Sequence, residues 1–349
     1  MFGLAIAAMV ASVAMIACSK EDAPAPQDEP EFYTVQLGWG GEIVDIAYEP
    51  LDTRAAGNDL YGIQVYSKPN NNSTATSWEP YAYGVFDDPT DISIDLASGN
   101  KYKFVATMVV DAKNKIANMM DGIGVEEEVR DHYAAPFNVF FDDIGTFISE
   151  RKNEDIIYSH AWIIDLEGEI HSSHTPNLDR YFGVEEDFVP SSNNTDITIT
   201  MKRVSFGAKF IVEGALAKSG TLDIQIPEAP KMSLTLTEGE DSISDIFTFF
   251  GEGYGGELYA CTRDDFSEVM SVSFKWIRPN GTELQIGTFP ITFKRNTTTV
   301  VTIKMENDVV EGDQTGGVGF SIASSEKGPM PENEDNSVTI VDGEVETGE

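Results

Sequence analysis

The chain has 349 residues, 59 of them acidic and 23 basic, for a formal net charge of −36. Charge of that sign repels phosphate backbones and anionic lipid surfaces, which disfavours nucleic acid and acidic headgroups as electrostatic partners. The length is a prior for two domains, and 41% hydrophobic residues suffice to build their cores.

The first segment, Met1 to Ala17, carries no charge and ends in Met15-Ile16-Ala17-Cys18, followed at once by Ser19-Lys20-Glu21-Asp22. An apolar stretch closing on small residues reads as a secretory signal peptide. The cysteine at the cleavage point resembles a bacterial lipoprotein signal, in which the thiol is acylated and becomes the new N-terminus, so Cys18 is the candidate lipidation site. Acyl chains contribute about 0.8 kcal/mol per buried CH₂, so a multiply acylated cysteine holds firmly to a membrane. An ordinary signal peptide or a single membrane span fits less well, because the run is short for a span and acids follow directly. The other cysteine, Cys261, then has no intramolecular partner and reads as a small buried apolar residue.

Residues 18–31 have no apolar periodicity and read as an acidic flexible spacer. Beyond them the texture becomes short β-type runs divided by turn residues. Phe32–Trp39, Leu60–Ser67, the alternating Asp91–Leu96 and Lys101–Val110 are predicted strands, the last two closing a hairpin over Ser98-Gly99-Asn100. Ala112–Met120 and Asp142–Ser149 are predicted as short helical segments, Ile156–Ile164 as a strand, and Asp165–Ser192 as loop. Asn193-Asn194 is the expected boundary between an N-terminal domain, 32–193, and a C-terminal domain, 194–306.

The second domain is predicted to open on one long strand from Asp196 to Val212, bent at Gly207. Thr221–Ile226, Met232–Leu236, Ile246–Phe250, Val269–Ile277, Glu283–Ile286, Phe289–Phe293 and Thr298–Met305 complete it, with a turn at Asn280-Gly281. Short strands at this spacing predict an all-β protein of two tandem antiparallel β-sandwich domains, with short helical insertions in the first. An acidic tail, 307–349, follows. Within it Val318, Phe320 and Ile322 alternate with small residues, and Val338 and Ile340 sit in a second strand-like run. Strand segments beyond the last strand of a domain pair either with their own sheet or with another chain.

Chemistry is sparse. His171-Ser172-Ser173-His174 is the only histidine pair with metal-like spacing, alongside His132 and His160, and a catalytic zinc site needs three protein ligands. The acid pairs Asp87-Asp88, Asp142-Asp143 and Asp264-Asp265 read as solvated turn charges, and no Ca²⁺-loop, Walker or nucleophile-elbow pattern is present. No metal, cofactor or enzymatic activity is therefore expected. Trp78, beside the polar run Asn70–Ser77, is the tryptophan most suited to stacking on a sugar, while Trp39, Trp162 and Trp276 read as core.

Several phrases resemble the Bacteroidota fimbrillin-like proteins, the type V pilins. These are Asp59-Leu60-Tyr61-Gly62-Ile63-Gln64-Val65-Tyr66-Ser67, Met201-Lys202-Arg203-Val204-Ser205-Phe206-Gly207-Ala208-Lys209-Phe210, Ile291-Thr292-Phe293-Lys294-Arg295-Asn296 and the step Thr53-Arg54-Ala55. The resemblance spans most of residues 18–305. It implies transthyretin-like, Greek-key sandwiches and a surface-anchored fimbrial subunit exported as an outer-membrane lipoprotein, with a role in the pilus or in adhesion to a host glycan or protein. It implies cleavage between Arg54 and Ala55, loss of the first strand, and filling of the groove by a terminal strand of another fimbrial subunit. Val318, Phe320, Ile322, Val338 and Ile340 are then the donor-strand candidates, and deletion of 312–349 is expected to leave a folded monomer that does not polymerise. Asp241-Ser242-Ile243 resembles the O-glycosylation sequence of these bacteria and marks Ser242. The alternative reading is a glycan-binding surface lipoprotein of a polysaccharide-uptake system, which would use exposed aromatic platforms.

Overall fold

The computed structural model describes residues 30–43, 58–71, 77–115, 137, 144–149, 161–164, 170–173, 177–214, 220–236, 242–249, 259–306, 319–329 and 341–343. Ten strands belong to the first half: β1 (Phe32–Gly41), β2 (Leu60–Pro69), β3 (Glu79–Phe86), β4 (Ser93–Ala97), β5 (Asn100–Val109), β6 (Thr146–Ile148), β7 (Ala161–Ile164), β8 (Ile170–Ser173), β9 (Arg180–Phe188) and β10 (Asp196–Arg203). Nine follow: β11 (Ser205–Glu213), β12 (Thr221–Gln225), β13 (Met232–Thr235), β14 (Ser242–Thr248), β15 (Ser267–Ile277), β16 (Glu283–Lys294), β17 (Thr297–Glu306), β18 (Gly319–Pro329) and β19 (Val341–Gly343).

The two halves repeat one plan. In the first, one eight-stranded sheet, β4-β1-β10-β9-β5-β2-β3-β6, folds over where β10 meets β9, so that β4-β1-β10 pack across a core against β9-β5-β2-β3. In the second, β14-β11-β17 continue into β18 and β19, opposite β13-β12-β15-β16. In each half the first strand pairs parallel with a later one, β1 with β10 and β11 with β17, while the other ladders are antiparallel. The class is therefore all-β with two sandwiches, as predicted, though neither sandwich is purely antiparallel.

Alternation explains the outer sheet of the first half. β10 reads Asp196 out, Ile197 in, Thr198 out, Ile199 in, Thr200 out, Met201 in. Ile197, Ile199 and Met201 join Val35, Leu37, Ile94 and Leu96 in one core with Ile63, Val65, Phe104 and Met108 of the facing sheet. β2 and β5 lack alternation because their sheet is covered on both sides: Leu60, Val105 and Val109 pack away from that core, beside Phe137 and Leu178.

Several expectations need correction. Thr146–Ile148, placed in a predicted helix, is strand β6 and pairs with β3 after Gly145 turns the chain at φ +100°. Ala112–Lys115 forms a single 3₁₀ turn, and no longer helix is found among the described residues. β8 and β9 run through the stretch assigned to loop. The three acids Glu185-Glu186-Asp187 hid β9, but they occupy its solvent-facing half, whereas Arg180–Gly183 are buried between β5 and β10. β3 went unpredicted because Pro80 and Gly84 break its pattern; Pro80 sits at a register shift against β2.

The predicted long strand from Asp196 is divided at Val204, not bent at Gly207. β10 belongs to the first sandwich and β11 to the second, so the crossing falls at Val204 instead of at Asn193-Asn194. Val204 is stitched on both sides, its N–H donating to the Arg180 carbonyl at 2.8 Å and its carbonyl accepting from Phe249 at 2.9 Å. Glu283–Ile286 and Phe289–Phe293 are one strand, β16, carrying a bulge opposite Phe274-Lys275.

Candidate functional site

β1 is an inner strand of its sheet. Phe32–Gln36 pair antiparallel with Ala97–Ser93, and Gln36–Gly41 pair parallel with Asp196–Met201. Val35 and Leu37 are buried, and Trp39 lies over Tyr61 at 5.1 Å while its indole N–H donates to the Pro89 carbonyl at 2.9 Å. The strand ends at Gly41, where φ is +76° and a Cβ would stand 2.5 Å from the Met201 carbonyl. Only glycine turns there, and the turn carries Glu42 towards the second sandwich while Ile43 drops back into the first core.

Glu42 lands on a polar cluster at the junction of the two halves. Its Oε2 accepts from the Arg203 backbone N–H at 2.7 Å and from Arg295 Nη1 at 2.8 Å, and its Oε1 accepts from Arg295 Nη2 at 3.0 Å. Arg295 stands in the turn between β16 and β17. Its remaining donors reach the Arg263 carbonyl at 3.1 Å, the Arg203 carbonyl at 2.9 Å and Asp264 at 3.3 Å. Arg203, at the end of β10, makes a two-pronged pair with Asp179 at 2.7 and 2.6 Å and donates to Asn296 at 3.3 Å. Side-chain exposure is 2% for Arg203, 5% for Arg295, 29% for Glu42 and 79% for Asp264, so two arginines are buried and one carboxylate plugs the opening above Arg295. Asp264 also pairs with Lys202, whose hydrogen bond holds its carboxyl below the usual aspartate range.

Sequence reading missed Glu42, Arg203 and Arg295 as a group. Two of them stand inside phrases that carried the family resemblance, but polar neighbours hide their burial: Lys202 precedes Arg203, and Lys294 and Asn296 flank Arg295.

Of the expected sites, Cys18, Arg54, Ala55, Val318, Val338 and Ile340 lie outside the described residues. Phe320 and Ile322 belong to β18, in register with Met305 and Ile303 of β17. Ser242 opens edge strand β14 and is exposed. His171 is on β8, while His132, His160 and His174 lie outside the described residues, among which no three His, Cys, Asp or Glu side chains form a metal-binding group. Asp87 pairs with Lys113 at 2.7 Å, and Asp88 caps its own turn by accepting from Thr90, which lowers its pKa. Cys261 is fully buried, and burial pushes its thiol up to about 12, so it is no nucleophile. Trp78 is half-buried, with the Lys68 ammonium 3.8 Å from its ring centre, so a cation already covers that ring.

No family model matches the chain, and no curated protein does. Among solved structures, the fimbrial anchor protein Mfa2 of Porphyromonas gingivalis is similar at 10% identity and a TM-score of 0.35, over 84% of this chain and 97% of that one. The tip fimbrial protein Mfa3 of the same organism, truncated at its C-terminus, is similar at 10% identity and a TM-score of 0.28, over 83% and 96%. A fimbrial assembly protein of Parabacteroides distasonis is similar at 10% identity and a TM-score of 0.33, over 90% and 99%.

Proposed function

We propose that the chain is a fimbrillin-like subunit, anchored through Cys18 at the outer membrane and assembled by strand exchange after cleavage between Arg54 and Ala55. The observation that carries this reading is the position of β1. Within the described residues it is the one strand that precedes Arg54, since β2 begins at Leu60 in the facing sheet. It also sits between two partners instead of at an edge. Removing everything up to Arg54 would leave β4 and β10 with unpaired backbone groups on either side of a strand-wide gap. It would also bare the Ile94, Leu96, Ile197, Ile199 and Met201 side chains that now pack with Val35 and Leu37. Such a gap recruits a strand, because the incoming backbone satisfies both edges while alternate side chains refill the core.

The donor in this reading is the C-terminal tail of another subunit. Val338 and Ile340 are its better candidates, since Phe320 and Ile322 already belong to a strand that pairs with β17 along its length. Host glycans or proteins remain the proposed adhesion targets, and the protein is proposed to act without catalysis.

N-terminal sequencing and intact mass of the protein stripped from the cell surface test the reading. Polymer whose subunits begin at Ala55 is the expected result. Subunits that begin at an acylated Cys18 and occur only as monomers would remove the processing step and leave a lipid-anchored binding protein.

A further inference from the structure

The groove left by β1 would be marked at one end by Arg295, and this gives it a chemical preference that an apolar groove lacks. Arg295 is nearly buried, and among the described residues the carboxylates that reach it are Glu42 and the exposed Asp264. Glu42 is the better placed, meeting the guanidinium with both oxygens and the Arg203 N–H with one of them. Arg203 meets Glu42 through its backbone N–H, while its guanidinium holds Asp179. Glu42 belongs to the segment that cleavage at Arg54 would remove. A buried guanidinium stripped of its carboxylate is strongly disfavoured, so the position selects for a replacement anion.

We propose that Arg295 and the Arg203 N–H form a carboxylate receptor, which Glu42 fills in the intact chain and an acidic residue of the replacing strand fills after exchange. The proposal rests on the strand-exchange reading for its second half only. Its occupant is the C-terminal segment of a second copy of this chain. That segment contains Val338 and Ile340 for the apolar positions, and Asp342, Glu344, Glu346 and Glu349 beside them, with no lysine or arginine after Lys327. Among the described residues it pairs within its own subunit over Val341–Gly343 against β18. In the intact chain the same receptor acts as a latch, because Glu42 ties the end of β1 to a turn of the second sandwich.

The test uses the full chain with a site-specific protease sequence replacing residues 50–55, cut after purification. Release of the N-terminal fragment is followed across a urea series for the wild-type sequence and for Glu42→Gln. The emptied protein is then titrated with a synthetic peptide of residues 331–349, and with the same peptide carrying Asn or Gln at 342, 344, 346 and 349. Faster release from Glu42→Gln by about tenfold or more, and tighter binding of the acidic peptide by a similar factor, are expected. The difference between the peptides should vanish in Arg295→Met. Equal release rates would overturn the latch, and equal binding of the two peptides would overturn the receptor while leaving strand exchange intact. Binding of neither peptide would overturn the tail as occupant and count against the strand-exchange reading, with the latch then decided by release alone.

Discussion

Arg203 and Asp179 place a full positive and a full negative charge where little water reaches either, and their two-pronged geometry is what makes that tolerable. Removing one partner strands the other. Asp179→Ala is therefore expected to cost about 3–5 kcal/mol in chemical denaturation. Asp265→Ala, in an ion pair whose members are both largely exposed, should leave the midpoint unchanged. A second residue-scale prediction concerns pH. Burial first, then neighbouring Tyr102 and Asp95, pushes the Tyr81 phenol up to about 12 from its usual 10. The folded state thus holds that proton more tightly than the unfolded chain does. Its contribution is fully present below pH 10 and is lost as pH rises towards 12. Unfolding midpoints should fall across that window, and more shallowly in Tyr81→Phe; identical profiles would count against the assignment.

At the scale of elements, β18 changes what a tail deletion means. The segment from 312 had the look of a free donor strand, yet Gly319–Pro329 pair with nearly the whole of β17. Deleting 312–349 would strip a strand from the second sandwich and expose the β17 edge, so loss of polymer after that deletion would confound folding with assembly. Truncation after Met330 separates the two. It retains β18 and removes Val338, Ile340 and the acidic positions. The truncated monomer is expected to melt within a few degrees of the full chain and to fail to polymerise. Polymers of normal length from it would remove the tail as donor, while a large drop in melting temperature would show that the tail is structural.

For the whole molecule, the repeated strand order is the fact that organises the rest. Both halves place their first strand inside a sheet, parallel to a later strand, β10 in one and β17 in the other. The halves differ beyond that parallel partner: β17 pairs with β18 along its length, whereas β10 meets β9 only at Lys202-Arg203. The first strand of the first half is also the one followed by a chain segment containing Arg54. Removing β1 thus opens a sheet without disturbing the second sandwich's own ladders, and the Glu42–Arg295 pair is a direct ionic tie between β1 and the second sandwich. Processed polymer beginning at Ala55, with the second sandwich as resistant to protease as in the intact chain, is the outcome the proposed strand exchange predicts.

What was legible in the sequence followed from local periodicity. Alternation in Asp196–Met201 revealed a strand with one wet face, and turn residues such as Asn280-Gly281 bounded others, because period-two burial is written directly into neighbouring residues. The Cys18 expectation is likewise a local pattern. Tertiary structure alone decided what depends on partners far along the chain. The parallel pairing of β1 with β10 and the burial of β9 despite its acids joined residues that no local pattern links. So did the meeting of Glu42 with Arg295, which lie 253 positions apart. A buried arginine announces that it needs a carboxylate, but only the folded chain determines which one arrives.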